Sequence, residues 1–407
     1  MIFVPSRRWP LGLFGMLAIV VAVEFWLADN RKWFTFNHEV AWLNADLHVR
    51  AAAGCEVVAF GDSLVKHGVI PPVMEERLGS GRKAYNLAIS GTSPLCHYIL
   101  LKRLLAIPGV PPPKALLIDG ELLDSKPLEP SQPWADLVTF RELAGLIRTH
   151  GEIPFFSAVA VEKALPSVRM RRPIKRRITR AVKGEPPEDP NTLAVFLRNQ
   201  KRNRGAEVNR QRDIPAGKDP IGEVLKQEDY RQKLWVCDPT SARDVDRFLA
   251  LAFSKGIRVY WLIPPVHARL AAQRTSGGWW KGYLPFLRSL QARYPMLTIL
   301  DSRRSDYEPD TLSDAVHLSR TGAIAYSDAL GEVLRDRLDR PGEHPERWIE
   351  MPRYDVTRAH ALAETLPVED LKQSGANLAR AMNGLRSAKP GGSIAAKADQ
   401  VGATRRR

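Results

Sequence analysis

The stretch Glu56-Val57-Val58-Ala59-Phe60-Gly61-Asp62-Ser63-Leu64 decides how the chain is read. A short apolar run closed by a glycine, an acid and a serine reads as a strand buried in a core and ended by a tight turn. A serine on such a turn can face a substrate, while the helix that follows aims backbone N–H groups toward it.

Outward from that stretch the same alternation repeats. Residues 72–78 read as a short helix and 83–88 as a second strand, followed by Ser90-Gly91-Thr92-Ser93-Pro94. Ser93 can cap a helix over Pro94–Leu105, with proline at its first position. Residues 114–119 read as a third strand after the prolines at 111–113. Residues 241–255 have helical periodicity and stop at Gly256. Strands over 257–263 and 297–300 flank a helix over 284–293, and an amphipathic helix over 321–338 closes the series. Strands alternating with helices predict an α/β domain over 51–340, with a central parallel sheet covered on both faces. Ligands of such sheets sit beyond the carboxyl ends of the strands. Ser63, Gly91, Asp119 and Pro264 all fall at such ends.

Two segments stand outside this alternation. Residues 9–28 form an apolar run broken by Glu24, preceded by Arg7 and Arg8 and followed by Arg31 and Lys32. A bilayer core takes about 20 helical residues, and Trp9 and Trp26 sit where interfacial aromatics belong. The expectation is a single-pass transmembrane signal-anchor helix in the cell membrane, with the rest of the chain extracytoplasmic. A cleaved signal peptide is the competing reading. A buried soluble helix fits less well, because the run has no polar face. From 341 the chain loses strong periodicity, so 341–407 is expected to be a disordered tail.

The formal charge is +15, and much of it lies in an insertion over about 125–238, with eight Arg and Lys between 169 and 183. That balance suits nucleic acid, anionic lipid or an acidic polymer. The run lacks interleaved aromatics and any nucleic-acid module, so nucleic acid is the least favoured. The three cysteines, Cys55, Cys96 and Cys237, are far apart, which argues against a disulfide framework and against a zinc site.

The second chemical signal is Asp314-Ala315-Val316-His317, just before the final helix. Activating a serine takes a base within hydrogen-bond reach and a carboxylate that holds the base's tautomer. Asp314 and His317, on one turn, can present the carboxylate to one ring nitrogen while the other faces Ser63. His67 and His97 lie beside the two loops and read as pocket-wall or surface residues. His267, in Pro264-Pro265-Val266-His267, ends a strand on the same side of the sheet. Trp279 and Trp280 offer either a sugar-stacking face or a packing role.

Gly61-Asp62-Ser63-Leu64, Gly91 after the second strand and Asp314-x-x-His317 together resemble the first, second and fifth sequence blocks of SGNH (GDSL-like) hydrolases. The resemblance spans about 56–340, the insertion excepted. It implies a flavodoxin-like three-layer α/β/α fold and cleavage or transfer of acyl groups with no cofactor and no metal. It implies Ser63 as nucleophile, His317 as general base and acid, and Asp314 as its orienting partner. The backbone N–H groups of Ser63 and Gly91 become the oxyanion donors. Asp62, Asp119 and His267 are substrate-pocket candidates.

One departure stands out. The family's third block, Gly-x-Asn-Asp, supplies an asparagine to the oxyanion hole, and here the loop reads Ile118-Asp119-Gly120-Glu121-Leu122. Members anchored in membranes that modify cell-envelope polymers also diverge in this block. Anchor and departure together imply an esterase or O-acyltransferase of that subgroup, acting with acetyl on a cell-envelope polysaccharide or similar ester. An acylated saccharide or small ester is then the substrate, and a membrane acyl-donor protein a partner. The alternative is a non-catalytic assembly or binding protein on the same scaffold.

Overall fold

The computed structural model describes residues 11–30, 39–79, 81–120, 123, 128, 133–185, 192–209, 220–226, 234–340 and 343–387. Six strands form one sheet: β1 (Val57–Ala59), β2 (Ala84–Asn86), β3 (Ala115–Ile118), β4 (Arg258–Ile263), β5 (Leu297–Asp301) and β6 (Trp348–Glu350). Their order is β2-β1-β3-β4-β5-β6, and every pair is parallel. Parallel neighbours need a crossover, and helices supply it in each case.

Side chains alternate along each strand and so reach opposite faces. Val58, Phe60, Leu116, Ile118, Trp261 and Ile299 enter a core shared with helices Pro94–Leu105, Pro239–Ser254 and Trp279–Arg293. Val57, Ala59, Leu117, Tyr260, Leu262 and Leu300 enter a second core, against helices Pro71–Leu78 and Arg320–Asp339. Both faces are therefore buried, which is why the strands read as continuous apolar runs.

The expected elements are present, with shifted ends. Helix Pro94–Leu105 starts where the sequence places it, but the Ser93 hydroxyl makes no capping bond. Helix Pro239–Ser254 begins earlier than expected because Asp238 caps it, accepting from the N–H groups of Thr240 and Ser241. Trp279–Arg293 runs straight through Pro285 and begins at Trp279 rather than 284. Trp279 is buried against Trp235 and Tyr283, with the Arg274 guanidinium 4.6 Å over its ring, so this face packs the core. The insertion is also part of the domain. Its Trp134, Leu143 and Phe156 are buried in the first core.

The disordered tail expected over 341–407 is corrected for residues 343–387. β6 adds to the sheet beside β5, and helices Val356–Thr365 and Leu371–Ser387 follow. Residues 388–407 lie outside the described residues. The C-terminal segment docks through polar bonds that periodicity cannot reveal. Arg198 grips the Glu369 carboxylate at 2.8 and 2.9 Å, and the amides of Asn199 and Asn203 each donate to the Glu369 carbonyl at 2.8 Å.

At the other end, helix Leu11–Asp29 is long and apolar enough to cross a membrane, a test that a signal sequence also passes. Only 6% of its most apolar window is buried. Residues 1–10, which carry Trp9, and 31–38 lie outside the described residues.

Candidate functional site

The turn that carries Ser63 is held by residues at the carboxyl ends of β1, β2 and β3. Backbone pairing continues past β1, with the Leu87 N–H donating to the Ala59 carbonyl and the Ile89 N–H to the Gly61 carbonyl. Gly61 takes φ of 152°, and a Cβ there would meet Asp119 Oδ1 and Val65 at 2.6 Å. Only glycine fits that turn. Asp62 caps the helix Ser63–Gly68 by accepting the Leu64 N–H, and its own N–H donates to Asp119 Oδ1 at 3.2 Å. Asn86, at the end of β2, holds the far side of this helix. Its amide donates to the carbonyls of Val65 and Val69, both at 2.8 Å.

The Asp314–His317 loop is equally constrained. Leu312 and Leu318 form an antiparallel bridge across it, and the Ser313 N–H donates to the His317 carbonyl at 2.8 Å. Asp314 Oδ1 accepts the N–H groups of Val316 and His317. The His267 N–H donates to the Ala315 carbonyl at 3.0 Å, tying the end of β4 to this loop. Leu64, Leu270, Ala315 and Val316 form a small apolar cluster that presses the two loops together.

These constraints place Ser63, His317 and Asp314 in line. Ser63 Oγ lies 2.7 Å from His317 Nε2, and His317 Nδ1 lies 2.7 Å from Asp314 Oδ2. A carboxylate can only accept, so Nδ1 carries the proton. Nε2 is then the acceptor for the Ser63 hydroxyl. Burial would raise the Asp314 carboxyl, but its bonds from the His317 ring and from two backbone N–H groups outweigh burial and hold it at about 2. The serine is half-buried and open to solvent.

His67, read from the sequence as a pocket-wall or surface residue, stands beside His317. Its ring meets that of His317 edge to face, with centroids 5.2 Å apart. Its Nδ1–H donates to the Glu207 carbonyl at 2.7 Å. Burial, and next the His317 ring, lower it to about 3, so it stays neutral at ordinary pH. Glu207 belongs to the insertion, whose segment 203–209 returns to the sheet. There the Asn86 N–H donates to the Arg204 carbonyl, and the buried Lys66 ammonium donates to the Gly205 carbonyl at 2.6 Å. Burial lowers Lys66 to about 8. No sequence periodicity pointed to this return.

The other candidates divide. Gly91 is exposed in the loop after β2, at φ of 71°, next to Thr92, whose hydroxyl donates to the Gly61 carbonyl at 3.2 Å. Asp62, Asp119 and His267 are only 3%, 2% and 8% exposed, and their bonds described above hold loops together. His267 also caps helix Ala268–Ser276 by accepting the Arg269 N–H. His97 is buried, with Nε2 3.0 Å from the Thr92 hydroxyl, and burial lowers it to about 4. Among the described residues no group of three or more His, Cys, Asp or Glu is placed to hold a metal ion.

No protein-family model matches the chain, and no curated protein matches it. What defines the site is its class of geometry, a Ser–His–Asp relay at the carboxyl end of a parallel α/β sheet.

Proposed function

We propose that this chain is a membrane-anchored serine acyl esterase or O-acyltransferase that acts through Ser63, His317 and Asp314. The observation that carries the reading is the relay itself. Two segments 254 residues apart in sequence meet with Ser63, His317 and Asp314 joined by successive contacts of 2.7 Å. A buried structural histidine has no need of a solvent-open serine on one side and an ionised carboxylate on the other. The strand order β2-β1-β3-β4-β5 is the flavodoxin-like order, which supports an SGNH-type scaffold.

The chemistry follows from the proton positions. His317 Nε2 takes the hydroxyl proton as Ser63 Oγ attacks an ester carbonyl. The Ser63 and Gly91 N–H groups receive the oxyanion, and Asp314 stabilises the imidazolium. Collapse expels the alcohol, which takes the proton back from Nε2, and leaves an acyl-serine. Water, or a sugar hydroxyl, deprotonated by Nε2 then accepts the acyl group. Acetyl on a cell-envelope saccharide, delivered by a membrane acyl donor, is the substrate class this reading favours.

Helix Leu11–Asp29 serves as the anchor, with the site outside the cytoplasm. The Glu24 carboxylate, the one acid inside its apolar run, accepts from the Ser167 N–H at 2.9 Å and from the Ser167 hydroxyl. A contact that satisfies Glu24 within the folded domain supports a retained helix over a cleaved leader.

The test is labelling of the full-length protein in detergent with a fluorophosphonate, read by intact mass. One adduct on wild type and none on Ser63→Ala is the expected result. Acyl release into buffer against transfer to a saccharide then separates esterase from transferase. No adduct on a folded wild type would favour the non-catalytic binding protein, the reading prompted by the missing asparagine in the loop 118–122.

A further inference from the structure

The basic insertion contains a helix that the acyl-transfer chemistry does not use. Helix Arg171–Val182 carries six Arg and Lys and no acid in its sequence RRPIKRRITRAV. Glu162 pairs with Arg171 at 3.2 Å and Glu185 with Arg180 at 3.0 Å. Ile174, Ile178 and Val182 recur every four residues and so share one face. Ile178 is 59% exposed and Val182 82% exposed. A water-facing helix gains nothing from an apolar stripe of that kind.

Its position says what covers it. Helix Leu11–Asp29 touches the domain near its C-terminal end, where Leu27 is buried and Glu24 meets Ser167. Ser167 lies in the short helix Pro166–Arg169, and the Ile174 N–H donates to the Met170 carbonyl, so the basic helix follows directly. At 1.5 Å per residue, Ile178 is within about 17 Å of Ser167. Val161 and Leu165, four residues apart on the approach, are exposed as well. The basic helix therefore starts beside the C-terminal end of the apolar helix, the level at which an anchor would leave the bilayer.

We infer that helix Arg171–Val182 lies in the membrane interface, its Ile174–Ile178–Val182 face in the acyl boundary and its guanidinium and ammonium groups on anionic lipid headgroups. A basic amphipathic helix of this pattern is the form such interfacial elements take, and each base near an anionic surface adds to its attraction. The helix then acts as a second hold that fixes the domain's tilt and so the direction in which Ser63 faces. The inference rests on the anchor reading for its geometry.

The experiment uses the full chain in a Cys237→Ser background, reconstituted into phosphatidylcholine vesicles with or without phosphatidylglycerol. An environment-sensitive fluorophore is placed at Ile178→Cys or at Leu17→Cys, and quenching by lipid-borne nitroxide is compared with quenching by aqueous iodide. The expected result is nitroxide quenching at Ile178 that is strong with phosphatidylglycerol and largely lost without it, while Leu17 is lipid-quenched in both. An Ile178 probe open to iodide in both vesicles overturns the inference and leaves the anchor standing. A Leu17 probe open to iodide overturns the anchor, and the Ile178 reading still decides the basic helix by itself. Shielding of Ile178 by a dissolved acidic polysaccharide, without lipid quenching, assigns the helix to a polymer and overturns the bilayer inference.

Discussion

Asp119 accepts the backbone N–H of Asp62 at 3.2 Å, and this bond ties the end of β3 to the turn that carries Ser63. Both residues are buried, so a lost acceptor leaves a donor unsatisfied. Asp119→Ala is expected to cost about 1–3 kcal/mol of unfolding free energy. Asp119→Asn keeps an oxygen acceptor and is expected to cost less. Urea unfolding of the two variants checks the order, and equal losses would remove the bond from the account.

The carboxylate at Asp314 fixes the tautomer of His317, because only Nδ1–H can donate to it. Asp314→Asn offers an amide donor in its place and turns the ring's proton onto Nε2. Ester hydrolysis and fluorophosphonate labelling are expected to fall on the order of 10⁴-fold, as in other Ser–His–Asp relays, with the fold retained. A loss below tenfold would show that Asp314 does not set the tautomer.

Gly61 takes a backbone conformation and a space that exclude a side chain, with Asp119 Oδ1 and Val65 2.6 Å from any Cβ. Gly61→Ala is expected to destabilise the protein by about 1–3 kcal/mol. It should also slow labelling of Ser63, since the turn must shift to make room. Thermal melting together with labelling rate is the measurement, and a variant normal in both would contradict the turn geometry.

Three histidines predict an acid-sensitive fold. Burial lowers His48 to about 3, His67 to about 3 and His97 to about 4. In the unfolded chain each titrates near 6.5. Between those values the unfolded state binds more protons, so stability is full above about pH 6.5 and falls as pH drops toward 4 and 3. Each histidine contributes a slope of up to about 1.4 kcal/mol per pH unit. Asp314, held at about 2, adds stability that is full above its ordinary value of 3.8 and is lost as pH falls from there to about 2. Melting temperature should hold from pH 8 to about 6.5 and fall from there to pH 4, and His97→Leu should flatten part of the slope. A flat profile would mean that these rings are not buried neutral.

Much of the fold was legible because its signals are local. A strand buried on both faces must be apolar throughout, and 57–60, 115–118 and 259–263 each are. The relay was legible for a related reason. Serine activation demands particular residue types on short turns, and Asp314 and His317 are three residues apart. The edges of the domain were less legible. β6 is three residues long and only partly buried, and Glu369, between the two C-terminal helices, is held by Arg198, Asn199 and Asn203. Polar side chains meeting across some 170 residues of sequence leave no periodic trace.

Local pattern alone was sufficient for the parallel α/β core, the apolar N-terminal helix and the choice of Ser63, Asp314 and His317 as candidates, whose side chains the structure brings into hydrogen-bond contact. Propensity and period act over a few residues, and each of those features is written within a few residues. Long-range packing decided the rest. It set the 2.7 Å approach of Ser63 to His317, the edge of His67 against that ring, the return of Glu207 from the insertion to the site, and the seating of Glu24 on Ser167. Each of these joins segments distant in the chain, and only the closing of the sheet and its two cores brings them within reach of one another.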